Sequence, residues 1–211
     1  MKDELLGFVV GPIQTNCYAY CSEGHCLVVD AGFSGAALAE RLADVQVDLV
    51  VSTHGHGDHT GGVKELCEAT GTPFALSSKD AEIAYASQGD GHHPGELIPP
   101  VADRDLVDGD VLHVGSASFS IIEAPGHTPG GVVLLGGGTA EGVAFVGDTI
   151  FAGSAGRTDL TGGDSRALMR TLAHLSEVIP PETQLLCGHG PATTMAYELS
   201  TNPFLTAINN Q

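Results

Sequence analysis

The stretch STHGHGDHTGG, residues 52–62, follows directly on the apolar run VDLVV, residues 47–51. Between His54 and His59 it packs three histidines and one aspartate into six positions. A short apolar run closed by glycines reads as a buried strand opening into a tight loop. In a helix, residues two apart point to nearly opposite sides. A turn instead lets His54 and His56 converge, and leaves Asp58 and His59 facing a second point. Neutral imidazole and carboxylate together suit zinc, iron and manganese. The plain reading is a solvated polar loop. Three histidines in six positions, placed at the end of a buried strand, weigh against it.

Three more ligand candidates end apolar runs. IIEAPGHTPGG carries His127, VAFVGDT carries Asp148, and QLLCGHGP carries His189. Taken singly, an aspartate after a strand is a cap and a histidine beside glycine or proline is a turn residue. Together with the first four they make five histidines and two aspartates, enough for two metals sharing a bridging carboxylate. If the strands share a direction, the ligands gather on one rim of the sheet, where α/β proteins place their active sites.

The rest of the chain frames that centre. The runs LLGFVV, NCYAYC, CLVVD, TPFAL, DVLHV, ASFSIIEA, GVVLLG and TQLLCG read as further strands. Apolar residues at i, i+3, i+4 spacing predict helices over residues 35–44, 62–71, 79–88 and 165–178, and a short one over NPFLTAI near the C-terminus. Pro180 and Pro181 stop the fourth. The pattern is mixed α and β, and residues 1–211 read as one domain. With 8 basic against 26 acidic residues the formal net charge is −18, which repels nucleic acid and anionic membranes. No run reaches transmembrane length, and the N-terminus lacks the apolar core of a secretory signal. Five cysteines, an odd number without a disulfide-like framework, read as reduced thiols of a cytoplasmic protein.

THGHGDH matches the HxHxDH motif of the metallo-β-lactamase superfamily. His127, Asp148 and His189 match that family's remaining ligands in order and approximate spacing. The resemblance covers nearly the whole chain. It implies a four-layered αββα sandwich with two divalent metal ions, zinc first and iron or manganese as alternatives. It implies His54, His56 and His127 at one metal, Asp58, His59 and His189 at the other, and Asp148 between them. VVDAG resembles the family's early Asp-x-Gly, which makes Asp30 a group that supports the ligands from behind. PIQTNCYAYC, GDTIFAGSAGRTDLTGGD and GHGPATTMAYELSTNPFL resemble the small glyoxalase II-like hydrolases, which lack a separate C-terminal helical substrate domain. In the longer enzymes a lysine nine residues after the bridging aspartate helps hold a glutathione carboxylate. Arg157 stands nine after Asp148, so the resemblance makes it a substrate contact.

The implied chemistry is thioester hydrolysis. Two divalent metals lower the pKa of a shared water toward neutrality, and Asp58 or Asp148 orients the resulting hydroxide toward the thioester carbonyl. The leaving thiolate, with a pKa near ~8.5, needs little protonation. S-D-lactoylglutathione is the expected substrate, although the chain's acidity suits anionic glutathione poorly. One rival is a persulfide dioxygenase on the same scaffold. By resemblance it would use a single iron on His54, His127 and Asp148, but GHGP favours two metals. Others are a non-catalytic metal-binding module, disfavoured because all seven ligand positions are filled, and a nuclease, disfavoured by the charge. A β-lactamase would carry a secretory signal. His92 and His93 read as solvated loop residues with a lid role as the alternative. Cys187 reads as a packing residue rather than a thiolate ligand.

Overall fold

The computed structural model describes residues 3–86 and 93–209. Its first sheet holds β1 (Glu4–Val10), β2 (Thr15–Ser22), β3 (His25–Val29), β4 (Gln46–Val51), β5 (Phe74–Leu76) and β6 (Arg104–Asp105), in that spatial order. β1 to β3 form an antiparallel meander, and β3 to β6 run parallel. The second sheet begins with the antiparallel strands β7 (Val111–Val114), β8 (Ala117–Glu123), β9 (Val132–Gly138) and β10 (Val143–Gly147). A two-stranded ribbon follows, β11 (Ile150–Phe151) with β12 (Ser154–Ala155). β13 (Gln184–Cys187) then pairs parallel to β10, and β14 (Thr193–Thr194) closes the sheet. The helices are α1 (Gly35–Arg41), α2 (Gly57–Thr60), α3 (Val63–Thr70), α4 (Ala81–Ala84), α5 (Ser165–Val178), α6 (Met195–Thr201) and α7 (Pro203–Asn209).

Side chains alternate along a strand, so a sheet buried on both faces feeds two cores. Leu27, Val29 and Val51 of the first sheet point inward and meet Phe119, Leu134 and Phe145 of the second. Their neighbours Cys26, Val28 and Val50 point outward, onto Leu38 of α1 and Val63 and Leu66 of α3. On the far side, Val133, Val146 and Leu185 pack against Leu168, Leu172 and Leu175 of α5 and Leu205 of α7. The order is helices, sheet, sheet, helices, which is the expected αββα sandwich. Each fully buried Leu, Val or Phe contributes about 1.5–3 kcal/mol. α5 matches its sequence pattern from end to end. The Asp164 side chain accepts from Arg166 N and Ala167 N at its start, and the chain turns extended at Ile179 before the two prolines.

Two expectations change. The cysteines are not all free: Cys21 and Cys26 stand directly opposite across β2 and β3 and form a disulfide, leaving Cys17, Cys67 and Cys187 as thiols. Cross-strand register, which residue counting does not reveal, brings the pair together. The helix expected over 79–88 is a single 3-10 turn, Ser78–Asp80, followed by one turn of α4 ending at Ala84. Asp80 turns its carboxylate inward, to the backbone of Gly55 and Gly130, instead of onto a helix surface. Residues 87–88 lie outside the described residues.

Candidate metal centre

The strand directions decide where the ligands meet. β3 and β4 run the same way, and so do β8, β10 and β13. Asp30, the His54–His59 loop, His127, Asp148 and His189 all follow the ends of these strands. The loop fits its narrow space because glycines separate the ligands and because α2 begins at once after His56.

Two trios form. His54 Nε2 lies 3.1 Å from His56 Nδ1, which lies 3.0 Å from His127 Nε2. His127 Nδ1 donates to the Arg157 carbonyl at 2.7 Å. That bond places the ring proton on Nδ1 and leaves the Nε2 lone pair facing the trio. In the second trio, Asp58 Oδ2 lies 3.2 Å from His59 Nε2 and 3.1 Å from His189 Nε2. Asp148 stands between them. Its Oδ2 is 3.6 Å from both His127 Nε2 and His189 Nε2, and its Oδ1 is 3.4 Å from His59 Nε2. Each trio, and a third made of His54, His59 and Asp148, is compact enough to hold one ion.

The residues fit a cation. His59 Nε2 and Asp148 Oδ1 are buried without a hydrogen-bond partner. Each such group costs about 1–3 kcal/mol when left unsatisfied, and a bound cation removes that cost for the atoms facing it. Residues 10–189 match the metallo-beta-lactamase superfamily. The chain belongs to that superfamily. It is 33% identical to the probable metallo-hydrolase YqgX of Bacillus subtilis, over 95% of this chain and 96% of the relative. It is 30% identical to the hydroxyacylglutathione hydrolase GloC of Haemophilus influenzae, over 94% and 96%. Among solved structures, the BLEG-1 B3 metallo-beta-lactamase superposes with a TM-score of 0.87 at 32% identity, covering 96% of this chain and all of that one. TTHA1623 in a di-iron-bound form superposes with a TM-score of 0.84 at 32% identity, covering 95% of this chain and all of that one.

Several supports of this metallo-beta-lactamase centre come from outside the histidine motif. Asp30 lies behind the two trios. Its carboxylate accepts from Thr53 N at 2.7 Å and Thr53 Oγ1 at 2.9 Å, and its Oδ2 is 3.0 Å from His59 Nδ1. Asp30 holds a left-handed conformation, φ 58°, which aims that carboxylate back at the loop. Thr15 was not singled out by sequence reasoning, yet its hydroxyl donates to Asp58 Oδ2 at 2.9 Å. Its neighbour Asn16 donates through Nδ2 to the carbonyls of Cys187 and Gly190. The only sequence signal was their place in PIQTN.

The two trios differ electrically. Burial holds His54 well below the usual imidazole range and His56 down to about 4, and neighbouring imidazoles push the same way. Both are neutral and ready to ligate. Burial also presses on His59 and His189, but the carboxylates of Asp58 and Asp148 outweigh it and raise both. The same pairing holds Asp58 and Asp148 below the usual carboxylate range against burial. A raised imidazole keeps its proton to higher pH, so protons compete with metal at the second trio before they do at the first. A cation held by Asp58, His59 and His189 is therefore expected to leave at higher pH than one held by His54, His56 and His127 when the pH is lowered stepwise under equilibrium dialysis. Simultaneous loss of both ions would contradict this.

A cavity of about 520 Å³ opens onto the centre. His56, Asp58, His127, Asp148 and His189 form its floor, with Ile13, Phe151, Ala155 and Leu160 on its walls. Arg157 reaches the rim, where its Nε and Nη2 clamp the Asp159 carboxylate at 2.7 and 2.8 Å. His93 also borders the cavity; His92 lies outside the described residues. A larger hollow of about 680 Å³, beside α3 and Pro99, touches none of the trios. Cys187 packs in the outer core, its thiol pushed up to about 12 by burial, and does not join the ligands.

Proposed function

We propose that the chain is a binuclear metallohydrolase that cleaves acyl thioesters, with S-D-lactoylglutathione the leading substrate. The observation that carries this reading is Asp148 standing between two ligand trios on the floor of a substrate-sized cavity. His54, His56 and His127 would hold one divalent ion, zinc in this proposal. Asp58, His59 and His189 would hold the other, and Asp148 would touch both. Bound there, the ions supply Lewis acidity and a hydroxide at neutral pH.

The protein's own groups do the positioning. Asp58 or Asp148 accepts a hydrogen bond from the attacking hydroxide and turns its lone pair toward the thioester carbonyl. Thr15 and Asp30 keep Asp58 and His59 from swinging away. Ile13, Phe151 and Leu160 shed water from the bound substrate. The thiolate leaves without a proton donor, so no general acid is needed, and with hydroxide as the attacking group no serine or cysteine nucleophile is needed either. Likeness to GloC supports the thioester, and the di-iron form of TTHA1623 supports the pair of metals.

The proposal takes residues 1–211 as one functional unit, with a small-molecule thioester as its partner and no nucleic acid or membrane. It places the reaction in the cytoplasm, with its glutathione pool. Among the described residues no helix is long and apolar enough to cross a membrane. Cys21 and Cys26 lie at the hairpin end of β2 and β3, away from the centre, so reduction there leaves the ligands in place.

The test is hydrolysis of S-D-lactoylglutathione by the metal-loaded protein. Release of thiol supports the proposal. Absence of thiol release, with oxygen uptake on glutathione persulfide, would replace it with a dioxygenase. Arg157→Ala is expected to raise KM about 3- to 10-fold and spare kcat, because an exposed, already paired guanidinium offers only ~1 kcal/mol to a second carboxylate. An unchanged KM would leave Arg157 a surface residue.

A further inference from the structure

Asp80 is fully buried, although it belongs to a surface turn and lies outside every ligand trio. Its Oδ2 accepts from the backbone N–H of Gly55 at 2.8 Å, and its Oδ1 accepts from the backbone N–H of Gly130. Gly55 sits between the ligands His54 and His56. Gly130 sits three residues after the ligand His127. One carboxylate therefore ties together the two loops that supply the three-histidine trio.

The packing leaves no slack. A Cβ on Gly55 would lie 2.8 Å from the Asp80 carbonyl oxygen, and one on Gly130 would lie 2.8 Å from Asp80 Cγ. Both loops approach the carboxylate as bare backbone. The second trio has supports of its own, Thr15 on Asp58 and Asp30 beside His59, although Asp30 also holds Thr53, whose Oγ1 lies 3.2 Å from His54 Nδ1.

We infer that Asp80 is a positioning residue for one metal only: it sets the spacing of His54, His56 and His127, and hence affinity at that trio, without acting at the other. Two N–H donors converge on one carboxylate, and both oxygens are needed. In Asp80→Asn the amide NH2 would face one of the donors, so one tether is lost while volume and shape are kept.

The experiment is a chelator competition with zinc on the full-length protein, reading the two affinities separately, alongside the thermal midpoint of the metal-free form. The expected result for Asp80→Asn is a loss of about 10- to 100-fold at one zinc, the range for groups that orient metal ligands. The other zinc and the metal-free midpoint stay as in the unaltered protein. Equal weakening of both ions, or of neither, overturns the inference. If the variant does not fold, amide exchange in the unaltered metal-free protein decides. Slow exchange at Gly55 and Gly130 supports a tether formed before metal arrives, and rapid exchange at either overturns it. Neither readout depends on the substrate.

Discussion

His59→Ala and His189→Ala each leave one metal ion per chain in place of two and cut turnover by about 100-fold or more. The magnitude follows from losing one ion's share of transition-state stabilisation, several kcal/mol, at ~1.4 kcal/mol per tenfold. Each substitution opens the second trio, since Asp58 Oδ2 sits 3.2 Å from one imidazole and 3.1 Å from the other. The first trio keeps all three histidines and its Asp80 tether, so one ion remains. The two variants differ in stability. His59 is fully buried against Asp30 and Asp58, and its removal strands two carboxylates. His189 is partly exposed to the cavity, and its removal costs less fold. Metal content by elemental analysis, with kcat on the same preparation, checks both. Two ions per chain with full turnover in either variant would refute the ligand assignment.

Gly188→Ala is expected to abolish most activity through a single methyl group. A Cβ at this position would collide with Asp148 Oδ1 and lie 2.6 Å from His59 Cε1. Gly188 is also pinned on both sides, since its N–H donates to the Gly147 carbonyl and its carbonyl accepts from Asn16 N. The backbone cannot retreat, so the bridging carboxylate and the imidazole must move. Overpacking of this kind costs about 1–3 kcal/mol of stability, and an ångström of misplacement in a reacting centre costs about 100-fold in rate. Gly190→Ala is the matched comparison. It lies two residues on with nothing within 4 Å of its Cβ, so strain at φ +71° is its only penalty. A Gly188→Ala protein with normal metal content and normal turnover would show that this close approach is relaxed in solution.

The sandwich was legible through the resemblance to the metallo-β-lactamase superfamily, and the seven side chains that meet at the centre stood out because buried strands here end in glycine or proline. That punctuation exposed His127, Asp148 and His189 as strand-end residues before any direction was known. The supporting groups were not legible for the opposite reason. Thr15, Asp80 and Glu198 are polar residues at a strand start, in a 3-10 turn and in the first turn of a helix, and only the packed structure shows what they reach. Glu198 is fully buried and accepts from Gly153 N, Thr193 Oγ1 and Asn202 Nδ2, so it fixes the β11–β12 ribbon that walls the cavity. The Cys21–Cys26 bond and the shortening of α4 escaped for a related reason. Each depends on a partner from another segment, Cys26 across the register in one case and the Gly55 and Gly130 amides in the other.

The central claim is a pair of metal ions held by one set of seven side chains. Elemental analysis of the purified, dialysed protein tests it most directly. Two divalent ions per chain, falling to one when Asp58, His59 or His189 is substituted, is the predicted result. A single ion per chain, unchanged by those substitutions and lost only with His54, His127 or Asp148, would contradict it.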